Sequence, residues 1–219
     1  MKTTESSITF NQIWEQRIKD NGADYVYFVD VSMFPEDVIE GCACAVLFGK
    51  ALSKEYISAL HTNQEPKRKE ILNTERKMDK LAVKIAAQLE EEGYRSIVKL
   101  KSRGLPHKTV ALRAGLGFIG KNNLLVTKQY GCAQILGKVL TTAPFLTMCE
   151  MPQDPQCGDC NICVDACPTN ALIGKSWSLT TTRDEILVRK RCTLCQKCLV
   201  LCPYTAKYMK CTEYQMGCV

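Results

Sequence analysis

What the sequence lacks narrows it first. No apolar run approaches the ~18 residues that a bilayer-spanning helix needs. The opening stretch, MKTTESSITFNQIWEQRIKD, has no apolar core of the signal-peptide kind. Low-complexity segments are missing, and so are repeats outside one cysteine-rich stretch. These absences exclude a membrane span and lead to the expectation of a cytoplasmic protein, where thiols stay reduced and disulfides are rare. At 219 residues, 46 % hydrophobic and 24 % charged, the chain is expected to bury a real core. Disorder, collagen-like repeats and coiled coils do not fit that balance.

What the sequence has is cysteine, 14 in all. In a reduced compartment that number points to metal or redox chemistry rather than to a disulfide scaffold. The cysteines also qualify the formal charge of +6, which would otherwise invite a nucleic-acid reading. If eight of the cysteines ligate two [4Fe–4S]2+ clusters, the thiolates take away eight charges and the clusters return four, so +6 becomes +2.

Residues 1–148 hold only Cys42, Cys44 and Cys132, and residues 149–219 hold the other eleven. This shift predicts a larger domain over 1–148, which reads as mixed α/β, and a compact metal module over 149–219. In the first part Phe10, Ile13, Trp14 and Ile18 recur at helical spacing, with Asn21-Gly22 as a stop. Residues 25–31 and 44–49 read as strands, the second of them buried. Residues 69–92 form the longest helix candidate, with the stripe Met78, Leu81, Ala82, Ile85, Ala86 and Leu89 and a glycine cap at Gly93. Residues 96–101 and 134–140 suggest two more strands.

Two segments carry the strongest signal: Cys157-x2-Cys160-x2-Cys163-x3-Cys167-Pro168 and Cys192-x2-Cys195-x2-Cys198-x3-Cys202-Pro203. Each is the bacterial ferredoxin run, in which the fourth cysteine ligates the other cluster. The expected ligands are therefore Cys157, Cys160, Cys163 and Cys202 for the first cluster. Those of the second are Cys192, Cys195, Cys198 and Cys167. The fourth cysteine is expected to open a short helix, with proline in its first turn. Zinc prefers two separated pairs of ligands, which these runs do not offer. Cys42 and Cys44 would share one face of a strand and read as core. Cys149, Cys211 and Cys218 read as idle or buried thiols.

A glycine loop comes after His107-Lys108, one of only two histidines and its neighbour. Gly115-x-Gly117-x-x-Gly120 matches the dinucleotide fingerprint but lacks the later acid that binds ribose. Gly115-x4-Gly120-Lys121 matches a phosphate-binding loop but is followed by Asn122 instead of Ser or Thr. Both nucleotide readings fail at a specific residue. Three glycines in six residues still permit close approach of the backbone to something else.

Leu105-Pro106-His107-Lys108, the run from Ala114 through Gly115, Gly117, Gly120, Lys121 and Asn122 to Leu125, Gly137-Lys138-Val139-Leu140-Thr141-Thr142 and the two cysteine runs occur in that order. This arrangement resembles the epoxyqueuosine reductase family, relatives of reductive dehalogenases. The resemblance is specific over about residues 105–209. It implies an α+β chain: a nitroreductase-like, cobalamin-binding α/β domain followed by a two-cluster ferredoxin-like domain. It implies two [4Fe–4S] clusters that deliver electrons to cobalamin, with flavin as the alternative cofactor. His107, Lys108, Gly115, Gly117, Gly120, Lys121 and Asn122 would then line the cofactor. A ferredoxin or flavodoxin would be the electron donor, and a small molecule or a modified nucleoside the substrate.

Two departures stand out. Members carry a C-terminal extension that helps to hold tRNA, and the sequence stops soon after the cysteines, which makes tRNA binding doubtful. The family's Arg-Asp-Tyr-His type motif before the long helix is replaced by residues 66–73, PKRKEILN. Glu70 lies near the corresponding place as the one candidate proton donor. Its competing role is that of a first-turn acid favoured by the helix dipole. The contending functions are a cofactor-dependent reductase, a non-catalytic two-cluster electron carrier that docks to a partner enzyme, and an RNA-binding module. The last rests only on Lys67-Arg68-Lys69 and Lys99-Leu100-Lys101, and charge runs are usually solvated faces.

Overall fold

The structure is a computed structural model, and it describes residues 2–62, 69–99 and 104–211. Cys218, Lys67, Arg68, Leu100 and Lys101 lie outside the described residues. The chain divides into two compact units, and neither is continuous in sequence. The first comprises Met1–Lys50, Asn73–Leu116 and Ile135–Met151. The second comprises Ala51–Leu72, Gly117–Gln134 and Pro152–Val219. The linear boundary expected at 148/149 gives way to this division because two internal segments pack with the cysteine runs.

The first unit is mixed α and β. Its four-stranded sheet has the order β1-β2-β6-β3, with β1 Tyr25–Asp30, β2 Cys44–Ala51, β3 Ser96–Ile97 and β6 Gln134–Thr141. β1 runs antiparallel to β2, pairing Tyr25 with Gly49 and Asp30 with Cys44. β3 runs antiparallel to β6. Helix α1 (Lys2–Asp20) and helix α4 (Lys69–Glu91) supply the apolar stripes read from the sequence. Trp14 and Ile18 of α1 meet Met78, Leu81, Ala82, Ile85, Ala86 and Leu89 of α4 in one core with Cys44, Val46 and Phe48 of β2. Phe28 stacks on Phe145 at 4.2 Å within it. Gly93 ends α4 with a φ of +89°, as its capping place requires. Strand β3 is shorter than the expected 96–101. Short helices α2 (Glu36–Ile39) and α5 (His107–Arg113) complete the unit, α5 lying beside β1.

The second unit gathers α3 (Lys54–His61), a two-stranded hairpin of β4 (Phe118–Ile119) and β5 (Leu125–Val126), and the cysteine runs. The runs carry α6 (Ile162–Asp165), α7 (Lys197–Val200) and α8 (Pro203–Lys210). Helix α3 is capped by Ser53, whose hydroxyl accepts the Tyr56 N–H. α7 packs against α3, α6 and α8. Among the described residues, no helix is long and apolar enough to cross a membrane.

Candidate metal centre and cofactor residues

Helix α6 carries Cys163, and α8 begins at Cys202 with Pro203 in its first turn, as expected. Proline fits there because the N–H it lacks would have no helical partner. After Cys167-Pro168 no helix forms. A turn takes its place, with Asn170 at φ +48°, a left-handed conformation that asparagine tolerates. Ala171 N–H then points back to Cys167 Sγ at 3.3 Å.

The electrostatics group the cysteines. Burial pushes the Cys163 thiol up to about 11, and the charges of Cys157, Cys202 and Cys160 add to it. Cys157 is raised by burial and feels Cys202 and Cys160. Cys198 is pushed up to about 12 by burial, with Cys163, Cys195, Cys192 and Cys167 as its charged neighbours. Cys163 thus faces one set of three, and Cys198 faces another set of three plus Cys163. The two fourth cysteines have donors waiting. Burial raises Cys167, but the N–H groups of Thr169, Ala171 and Leu172 and the Thr169 hydroxyl outweigh it, and the thiol is lowered. Cys202 is lowered first by the thiol of Cys132 and further by the N–H groups of Tyr204 and Thr205. Donors aimed at sulfur suit thiolates bound to a cluster. Among the described residues no three His, Cys, Asp or Glu converge as a single metal ion would require.

The end of the glycine loop, from Gly120, is a hairpin turn in this same unit. It joins β4 to β5, with Gly120 N–H on Leu124 O and Asn123 N–H on Gly120 O. A Cβ on Gly117 would stand 2.1 Å from the Val126 carbonyl oxygen. One on Gly120 would stand 2.7 Å from Asn122 Oδ1. Their side-chain space is therefore filled by the chain itself. Lys121, only 7 % exposed, turns its Nζ to Gly158 O at 2.8 Å and Asn161 Oδ1 at 3.0 Å. Asn122 donates through Nδ2 to Cys198 O at 3.1 Å and to Cys132 Sγ at 3.2 Å. Lys121 thus holds the first cysteine run and Asn122 the second. A strand-to-helix nucleotide motif is not formed here.

The seven expected cofactor residues fall in two units. His107, Lys108 and Gly115 belong to the first, and Gly117, Gly120, Lys121 and Asn122 to the second. Gly115 follows α5 at φ +64°, with Glu150 crowding its missing side chain. His107 is lowered to about 4, first by burial and then by the charge of Lys138, so its imidazole is neutral near pH 7. Lys138 itself, on β6, is 3 % exposed, and its Nζ has no hydrogen-bond partner among the described residues. The sequence placed Lys138 in a matching motif but assigned it no role. Its burial next to a neutral histidine was the missing signal.

Burial, with the charge of Lys99 behind it, lowers Lys138 to about 8 from an ordinary 10.5. Between those values the unfolded chain keeps a proton that the folded chain has released, so stability rises with pH across that window. Lys138→Met is expected to abolish that rise, at most about 3 kcal/mol, and to be the more stable protein at pH 7. Paired urea titrations at pH 7 and pH 10 measure this. An identical pH response in the two proteins would contradict an unpaired buried amine.

Glu70 is engaged. Its Oε1 accepts the Ser53 N–H at 2.6 Å and its Oε2 accepts the Ser53 hydroxyl at 2.6 Å. The carboxylate thus braces the N-cap of α3. Glu70→Ala is expected to lower stability by about 1–2 kcal/mol with no change in bound iron. Denaturant melts with iron assay check this, and a fall in iron at unchanged stability would contradict a bracing role. Of the other cysteines, Cys44 is in the core, Cys42 is fully buried, Cys149 is exposed and Cys211 is half-buried.

A family model described as "4Fe-4S dicluster domain" matches residues 156–206. This class agrees with the paired cysteine runs. More particularly, the chain is similar to epoxyqueuosine reductases. It is 39 % identical to the epoxyqueuosine reductase of Listeria monocytogenes, over 43 % of this chain and 28 % of that protein. It is 37 % identical to that of Lactococcus garvieae, over 59 % of this chain and 40 % of that one. The chain thus matches well under half the length of these curated relatives. The epoxyqueuosine reductase structure from Streptococcus thermophilus aligns with a TM-score of 0.63 at 21 % identity, over 89 % of this chain and 66 % of that one. A catabolic reductive dehalogenase in complex with 3-bromo-4-hydroxybenzoic acid aligns at 0.53 and 19 % identity, over 68 % of this chain and 23 % of that one. The fold is that of epoxyqueuosine reductase, with the dehalogenases structurally related.

Proposed function

We propose that the chain is an iron–sulfur oxidoreductase. Electrons pass through two [4Fe–4S] clusters to a cofactor held by the α/β unit, where a bound substrate is reduced. The division of eight cysteines into two crossed sets supports this most directly. Cobalamin is the cofactor that the resemblance implies. In the α/β unit His107, Lys108 and Lys138 would hold it, and the Lys138 amine is a buried donor that still needs an acceptor. Gly117, Gly120, Lys121 and Asn122 do not fit that task, because the hairpin and the cysteine runs already occupy them. When bound, a reduced corrinoid supplies the attack on the substrate. A ferredoxin or flavodoxin is the electron donor, and a small molecule or modified nucleoside is the substrate.

Two observations favour a second reading, a two-cluster electron carrier without a substrate of its own. Glu70 is tied to Ser53, and the glycine loop is closed on itself. One preparation separates the two. The protein is purified anaerobically and supplied with iron, sulfide and hydroxocobalamin. About eight irons and one corrinoid per chain is the result expected of the reductase. Eight irons without corrinoid would leave the carrier, and fewer than about one iron per chain would sink both.

A further inference from the structure

Laid over one another, Cys157 on Cys192 through Cys167 on Cys202, the two runs share their cysteines and differ in charge. Asp154-Pro155-Gln156 precedes the first run where Arg189-Lys190-Arg191 precedes the second. Asp159 stands where the second run has Leu194, and Ile162 where it has Lys197. Residues 152–174 carry three acids and no base, and residues 186–211 carry six bases and no acid. Asp154, Asp159 and Asp165 are exposed, and so are Arg189, Lys190, Arg191 and Lys197.

Arg189–Arg191 form one turn of 3-10 helix that ends at Cys192. The acids before it are taken, Asp184 by Arg183 and Glu185 by Lys175. Among the described residues none of Arg189, Lys190, Arg191 and Lys197 is in an ion pair. Their place sets them apart from an ordinary solvated face. Arg191 adjoins Cys192 and Lys197 adjoins Cys198, so each is one Cα step of about 3.8 Å from a cysteine of the second ligand set. Between them Leu194 has a φ of +56° and is 47 % exposed. Left-handed backbone is unfavourable for leucine, and here the side chain gains little burial in return. An apolar tip within a basic rim is the build of a protein–protein contact. RNA is held by stacked bases as well as by charge, and no aromatic residue stands between Trp177 and Tyr204.

We propose that Arg189, Lys190, Arg191 and Lys197 around Leu194 form the docking face for an acidic one-electron carrier protein, and that electrons enter at the second cluster. The inference rests on the reading of Cys192, Cys195, Cys198 and Cys167 as ligands of one [4Fe–4S] cluster, and it gives the electron donor of that reading its place. One electron leaves the reduced centre of the carrier and takes the cluster from 2+ to 1+. No bond forms or breaks, and no proton moves in this step. The acids around the first run repel the same carrier, so charge chooses between the two clusters.

The test uses an acidic plant-type [2Fe–2S] ferredoxin and the full cluster-loaded chain. Wild type is set beside a variant with Arg189→Gln, Lys190→Gln and Arg191→Gln together. Calorimetry with the oxidised ferredoxin is expected to give a Kd about tenfold weaker in the variant. The wild-type Kd should itself weaken as salt rises from ~0.05 to ~0.3 M. Hydrogen exchange should show ferredoxin protecting residues 186–199 and not residues 152–166. In stopped flow, reduced ferredoxin should reduce the variant about tenfold more slowly, while reduced methyl viologen, a small cation, reduces both proteins at least equally fast. Equal affinities at about eight irons per chain, protection confined to the first run, or a wild type that does not bind the ferredoxin at ~0.05 M salt would overturn the inference and leave the cluster reading intact. A variant that loses total tRNA in a mobility shift but keeps its ferredoxin affinity would overturn it in favour of an RNA face. A wild type that takes up no iron would overturn the cluster reading itself. Should the triple variant fail to hold iron, Lys190→Glu, which leaves Arg191 beside Cys192, decides through the same Kd: a weaker one supports the face and an unchanged one refutes it.

Discussion

Cys163→Ser is expected to cost one cluster and largely spare the other, taking bound iron from about eight per chain to about four. Cys163 is buried on α6, facing Cys157, Cys160 and Cys202. Serine offers a poorer iron ligand, and the remaining three thiolates cannot close the set. The second set keeps Cys192, Cys195, Cys198 and Cys167 unaltered. Cys198 lies close enough to Cys163 to feel its charge, so a small change in the surviving cluster's spectrum is expected. Iron analysis with EPR of the reduced protein measures both effects. Two unchanged clusters would contradict the crossed grouping, and loss of both would show that the sets do not assemble independently.

Gly131→Ala should be the most damaging substitution outside the ligands. Gly131 has a φ of +56°, and a Cβ there would lie 2.3 Å from Thr205 N and 2.5 Å from Tyr204 C. Those are backbone atoms in the first turn of α8, directly after Cys202, so no side chain can swing aside. Relief requires moving the helix or the turn, and the turn carries Cys132. A loss of about 3 kcal/mol or more is expected, with impaired loading of the first cluster. Gly22→Ala is the control. Its φ is +106° but no atom lies within 4 Å of the added carbon, so only the conformational cost of about 1 kcal/mol applies. Urea unfolding and iron content distinguish the two. Equal, small losses would mean that α8 tolerates displacement.

The parts of this molecule legible in sequence are those written locally. The stripe on α4 repeats within a few residues, and each cysteine run fits within eleven, so periodicity and spacing were enough. Strands β1, β2 and β6 came from short apolar runs for the same reason. The uses of the glycine loop were not legible, because its partners lie far along the chain. Lys121 and Asn122 resemble groups facing a cofactor until their contacts with Gly158, Asn161 and Cys198 are known. The membership of residues 51–72 and 117–134 in the cysteine-bearing unit has no local signature either. The turn after Cys167 departs from the helix after Cys202 through the two residues beyond each proline, Thr169-Asn170 against Tyr204-Thr205.

The interleaving of the two units bears on how the protein is made. The chain passes from one unit to the other five times between its first segment and its last. Contacts such as that of Gly131 with Thr205 close long loops, and such topologies fold slowly. On the proposed ligand sets, the first cluster is completed only after Cys202 has emerged and α8 has docked on the 130–133 turn. Metal loading is therefore a late event in biogenesis. Until then the three waiting thiols of the first run stand open to oxidation and to the wrong metal.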